Sequence, residues 1–218
     1  ILLHGHGGKG IAMIYHASAL VAKGYSVFSY DQRAHGSSAG DVCTSGWKEA
    51  DDVIAALDYL KTRPDVDPER IGALGLSLGG QAALLAAARE ERLRAVIAEG
   101  PGATCLADHG GRPNSLQRWI NYPTNWLFHI VFSLMNGFRP TQGIRNTIAD
   151  IAPRPILLIS SGRKSERHFT QLFYEAAQEP KDLWVVPAAR HAEVYFQDAK
   201  AYQKRIVDFF DRAFEVET

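Results

Sequence analysis

The chain has 218 residues, with 24 basic and 24 acidic side chains, and 46% of it is hydrophobic. That length suits one domain with a full-sized core, and the even charge balance argues against a phosphate-tracking nucleic-acid binder. Cys43 and Cys105 are too few for a disulfide framework or a four-ligand zinc site, and no apolar run approaches the roughly 20 residues of a membrane span. A small molecule or a short peptide is the partner to expect.

Short β-rich runs alternate with helical patterns, which predicts an α/β fold with a mostly parallel sheet and helices on both faces. Residues 1–4 form the first expected strand, 11–23 a helix and 25–30 a second strand. Ala50, Val53, Ile54, Leu57 and Leu60 then recur at three- and four-residue steps, so residues 47–60 are expected to form an amphipathic helix that ends before Pro64. Residues 70–76 predict a strand, 81–89 an alanine-rich helix and 93–99 another strand. From 102 to 153 the alternation breaks into glycines, prolines and a stretch from 119 to 138 rich in Trp, Phe, Ile and Leu. This predicts a helical lid or cap inserted between core segments 1–101 and 154–218. The pattern resumes with a strand at 155–160, a helix at 169–177 and a last strand at 183–186. In the final helix Tyr202, Ile206, Phe209, Phe210 and Ala213 share one face.

Two readings compete at the N-terminal end. Gly5-His6-Gly7-Gly8-Lys9-Gly10 fits G-x-G-x-x-G after a strand, and Asp31 ends the next expected strand where a dinucleotide fold places its ribose-binding acid. The same residues, read as His4-Gly5-His6-Gly7-Gly8, form an H-G-x-G-G turn of the kind that offers a backbone N–H to an oxyanion. Glycine lets that backbone curl close to a carbonyl oxygen.

The downstream sequence discriminates. Gly75-Leu76-Ser77-Leu78-Gly79 matches G-x-S-x-G, with a strand before it and a helix after it. That is the setting of a nucleophile elbow, in which a strained turn exposes the serine. Here the chain resembles the α/β-hydrolase family over nearly its whole length. Tyr30-Asp31-Gln32-Arg33-Ala34-His35-Gly36-Ser37-Ser38 is similar to the family's D-x-R-G-H-G-x-S segment, with Ala34 in place of the first glycine. In that segment the resemblance makes Asp31 structural, which removes the support for a ribose-binding acid.

A serine nucleophile needs a base, and the base needs an orienting carboxylate. In the chain order Ser, acid, His, the base falls just beyond the last strand, at His191. Arg190 stands where the family more often has glycine. The other seven histidines read as surface or structural imidazoles. His4, His6 and His35 belong to turns, His16 to the first helix and His109 and His129 to the insertion, and His168 follows the wrong strand. After the strand at 155–160 the family's G-x-x-D becomes Gly162-Arg163-Lys164-Ser165, so the expected acid is Glu166, one residue on. Glu99 is the alternative acid, and Glu166 also reads as a glutamate complementing a helix N-terminus.

These residues imply a serine hydrolase of carboxylic esters with a Ser77-His191-Glu166 triad and an oxyanion hole made by the backbone N–H groups of His6 and Leu78. No H-E-x-x-H or similar metal set occurs, and this chemistry needs no cofactor. A peptidase or amidase of the same fold is the alternative within the chemistry, and a non-catalytic hydrolase-fold binding protein the alternative outside it. The resemblance also implies two strands before residue 1. On that expectation the sheet edge would be bare and the fragment poorly soluble, and membrane contact would come through the insertion or a preceding segment.

Overall fold

The computed structural model describes residues 1–109, 123–124, 126–127, 130–134, 137 and 142–215. Of the expected insertion, residues 110–122, 125, 128–129, 135–136 and 138–141 lie outside the described residues. Its described C-terminal end packs on the body of the protein, where Ile144, Ile148 and Ile151 are buried in the core.

Five strands make one parallel sheet in spatial order β1 (Leu2–Leu3), β2 (Gly72–Leu76), β3 (Ala95–Glu99), β4 (Ile156–Ser161) and β5 (Lys181–Val186). Helices α1 (Ile14–Ala22), α2 (Trp47–Lys61), α3 (Leu78–Ala87), α4 (Ile144–Thr147), α5 (Lys164–Ala176), α6 (Val194–Gln197) and α7 (Ala199–Ala213) surround it. This is the expected α/β arrangement. Strand parity divides the core into two layers. Val96, Ala98, Ile156 and Leu158 face α2, α3 and α5, whereas Ala95, Ile97, Leu157 and Ile159 face Leu20 of α1 and the Tyr202, Ile206 and Phe209 stripe of α7. Both faces are covered, so the central strands read as continuous apolar runs.

Three departures from the expected elements bear on the site. Residues 25–30 lie beside β1 but make a single bridge, Leu2 with Ser29, and one backbone bond from Leu2 N–H to the Phe28 carbonyl at 2.8 Å. Helix α3 begins at Leu78, directly after Ser77, because the poor helix formers Gly79 and Gly80 are held in its first turn by close packing. Helix α5 begins at Lys164 rather than near Phe169, because its first turn, Lys164-Ser165-Glu166-Arg167, is polar and carries no apolar period.

Candidate active site

Each of the five strands runs in the same direction, so their C-terminal ends share one edge, where open α/β sheets place their ligands. Ser77 leaves β2 there. Its backbone sits at φ 50°, ψ −109°, a strained conformation for a residue with a side chain. The two flanking glycines explain how the turn closes. A Cβ on Gly75 would lie 2.2 Å from the Gly79 carbonyl oxygen, and one on Gly79 would lie 2.3 Å from the Leu3 carbonyl oxygen. Backbone meets backbone at both places, and no side-chain rearrangement could make room.

His191 lies beyond β5. The Ser77 hydroxyl donates to its Nε2 at 2.9 Å, and its Nδ1–H donates to Glu166 Oε2 at 2.6 Å. Glu166 is acceptor-only when ionised, so the Nδ1–H tautomer is the one that serves both contacts. The Glu166 side chain is 2% exposed and that of His191 36%, which leaves the imidazole open to solvent above a buried carboxylate. Burial works against ionised Glu166, but bonds from His191, the Ser161 N–H at 2.6 Å and the Ser161 hydroxyl at 2.8 Å together hold its pKa below the ordinary carboxylate range. The first turn of α5 sets its direction, returning the side chain over the end of β4. Arg190, which departs from the glycine of the family pattern, is exposed to solvent.

Glu99, the alternative acid, is fully buried at the end of β3. Its carboxylate accepts from the Val194 N–H at 3.1 Å and the Tyr202 hydroxyl at 2.8 Å. Burial pushes its pKa up to about 7, the two donors and nearby His191 oppose the rise, and nearby Glu166 adds to it. The carboxylate that meets the imidazole is that of Glu166.

The glycine turn after β1 runs alongside the serine, since a Cβ on Gly5 would lie 3.6 Å from Ser77 Cβ. The Gly5 carbonyl accepts from the Gly8 N–H at 3.0 Å and from His4 Nδ1–H at 2.8 Å. His4 Nε2 accepts the Gln32 N–H at 3.0 Å, and a backbone amide can only donate, so His4 is neutral with its proton on Nδ1. The Gly5 carbonyl and the His6 N–H belong to one planar trans peptide and point in opposite directions. Holding the carbonyl therefore aims the N–H. Leu78 is the first residue of α3, where backbone N–H groups have no carbonyl one turn back. The Asp31 carboxylate accepts the N–H of Gly10 and of Ser37, each at 2.8 Å, and these two bonds lower its pKa. Both its oxygens are thus engaged in closing turns. The sequence reading did not find the parts played by His4 and Ser161. The histidine that opens the H-G turn was the available signal for the first, and the second has none in the sequence.

The chain matches the prolyl oligopeptidase family model over residues 15–217. It is 27% identical to the protein PA2218 of Pseudomonas aeruginosa over 90% of this chain and 67% of that one. Among solved structures, the esterase Pf2001 of Pyrococcus furiosus superposes with a TM-score of 0.73 at 26% identity, covering 97% of this chain and 81% of that one. A dienelactone hydrolase from Anabaena variabilis shares the fold with a TM-score of 0.70 at 19% identity, over 97% of this chain and 84% of that one. With the fold and the family model in agreement over nearly all its length, the chain is a hydrolase that belongs to the prolyl oligopeptidase family of the α/β-hydrolases.

Proposed function

We propose that the protein is a serine hydrolase that cleaves carboxylic esters through an acyl-enzyme, with Ser77 as nucleophile, His191 as general base and Glu166 as the orienting acid. The observation that carries this reading is the unbroken hydrogen-bond chain from the Ser77 hydroxyl through both nitrogens of His191 to Glu166. As the Ser77 oxygen attacks the ester carbonyl, Nε2 takes its proton, and the buried Glu166 carboxylate stabilises the imidazolium that forms. The developing oxyanion is met by the Leu78 and His6 N–H groups. His191 then gives the proton to the leaving alcohol, and water, deprotonated by the same imidazole, releases the acid and frees Ser77.

The likeness to a protein described as an esterase favours ester substrates. Membership of the prolyl oligopeptidase family favours a second reading, a peptidase with the same three residues. A fluorophosphonate probe should label the wild type and leave Ser77→Ala unlabelled. A folded wild type that stays unlabelled would sink the hydrolytic reading, and equal labelling of both proteins would sink Ser77. Faster turnover of p-nitrophenyl esters than of peptide p-nitroanilides is expected, and the reverse order would select the peptidase.

A further inference from the structure

Glu99 takes no part in the chemistry just described, yet it sits among its parts. Residues 95, 97 and 99 point to the same side of β3, and the first two are the buried aliphatics Ala95 and Ile97. A carboxylate in that row, fully buried, stands where an aliphatic side chain would pack with no desolvation cost.

What the carboxylate holds is the loop that carries His191. Its Oε1 accepts the N–H of Val194, three residues beyond His191 and the first residue of α6, and its Oε2 accepts the hydroxyl of Tyr202 in α7. On the other side of the imidazole, the Ala189 carbonyl accepts the Gly162 N–H at 3.2 Å. The histidine is bracketed between an anchor to the end of β4 and an anchor to the end of β3. The backbone of the same strand end completes the contact. The Glu99 carbonyl accepts the Ser77 N–H at 2.7 Å. At the next residue, Gly100 (φ +63°), a Cβ would come within 3.0 Å of His191 Cε1 and 3.1 Å of Glu166 Cδ. The end of β3 thus touches the nucleophile, the imidazole and the acid.

We propose that Glu99 is a positioning residue for His191, its carboxylate fastening the 189–194 loop to β3 so that Nε2 stays within reach of Ser77 while Nδ1 reaches Glu166. The catalytic consequence rests on the serine hydrolase reading, whereas the tether itself does not. In its ionised form Glu99 accepts from both donors at once. Protonation turns one oxygen into a donor, and the bond to the Tyr202 hydroxyl, which can also accept, then reverses its direction.

The test compares the wild type with Glu99→Leu, which removes both bonds at similar volume, Glu99→Gln, which keeps an acceptor for the Val194 N–H, and Tyr202→Phe. Two readouts are needed. One is ester kcat and KM, together with the rate of fluorophosphonate labelling. The other is the low-field proton resonance of His191 Nδ1–H, which needs no substrate. Glu99→Leu should lose kcat by roughly tenfold to a hundredfold with little change in KM, and its low-field proton should weaken or vanish. Glu99→Gln should restore most of both. A folded Glu99→Leu with wild-type kcat and an undisturbed imidazole proton would overturn the proposal. Should that variant not fold, Tyr202→Phe decides, and an unchanged resonance with unchanged labelling there overturns it equally. An unlabelled wild type that still shows the low-field proton, lost in Glu99→Leu, would fail the hydrolase reading and leave the tether standing.

Discussion

Two buried carboxylates that lie near one imidazole in the fold respond to pH with opposite signs. Glu166 has its pKa lowered in the folded chain, so it adds stability above the unfolded value of 4.5 and loses it as the pH falls through its depressed pKa. Glu166→Gln should therefore cost most above pH 4.5, with the difference narrowing in acid. Glu99 keeps its proton in the folded chain up to about 7, while the unfolded chain releases it near 4.5. Between those values the folded state binds more protons, and stability falls as pH rises. Glu99→Gln removes that slope, so its stability relative to wild type should rise by about 3 kcal/mol from pH 4.5 to 8. Urea unfolding at the two pH values measures both effects, and a pH-independent difference for Glu99→Gln would contradict the second. Ala34 presents a simpler case. It occupies φ 59° at the position of the first glycine in the D-x-R-G-H-G-x-S pattern that its segment resembles, a left-handed conformation that costs an L-residue roughly 1–2 kcal/mol. Ala34→Gly should raise stability by about 0.5–1 kcal/mol, the unfolded-state entropy of glycine offsetting part of the relief, and thermal unfolding checks it.

The elbow between β2 and α3 is the element on which the site depends, and its glycines are set by distance. Gly79→Ala would press a methyl group into the Leu3 carbonyl at 2.3 Å, backbone against backbone. We expect a loss of at least about 3 kcal/mol, seen as a large fall in the unfolding midpoint, and a variant of wild-type stability would contradict this packing. The elbow was readable in the sequence because each part of it is local: a strand, a fixed motif and a helix within twenty residues of chain. His191 was readable from its place after the last strand, and Glu166 from its nearness to the displaced aspartate position. What could not be read depends on pairing across the fold. The segment at 25–30 has strand composition but meets a two-residue partner in β1. Glu99 looked like a second choice of acid because chain order says only that a strand end faces the site. Its partners, Val194 and Tyr202, lie 95 and 103 residues away in sequence.

At the scale of the whole molecule, the parallel sheet brings chain-distant residues together by lining up strand ends. The glycine turn follows β1, Ser77 follows β2, Glu99 and Gly100 end β3, Glu166 follows β4 and His191 follows β5. Neighbouring strands thus supply neighbouring parts of one site. The opposite end of the sheet holds a groove of about 460 Å³ lined by Tyr25, Phe28, Tyr59, Arg63, Phe210 and Phe214, next to Gly72 where β2 begins. Although roomy, it is lined by none of Ser77, His191 and Glu166. The two ends make different predictions for amide hydrogen exchange in the phosphonylated protein. An adduct on Ser77 that recruits the Leu78 and His6 N–H groups should slow exchange in residues 5–10, 77–80, 99–103 and 187–194, with little change around 24–28, 59–67 and 210–214. The central strands β2, β3 and β4, buried on both faces, should exchange slowest with or without the adduct, because their opening requires global unfolding. Protection that spread to the far groove would mean that the two ends are coupled through the sheet. Protection that left residues 5–10 unchanged would remove the turn after β1 from the oxyanion hole, leaving Leu78 without its partner and reducing the part of His4 to holding a loop.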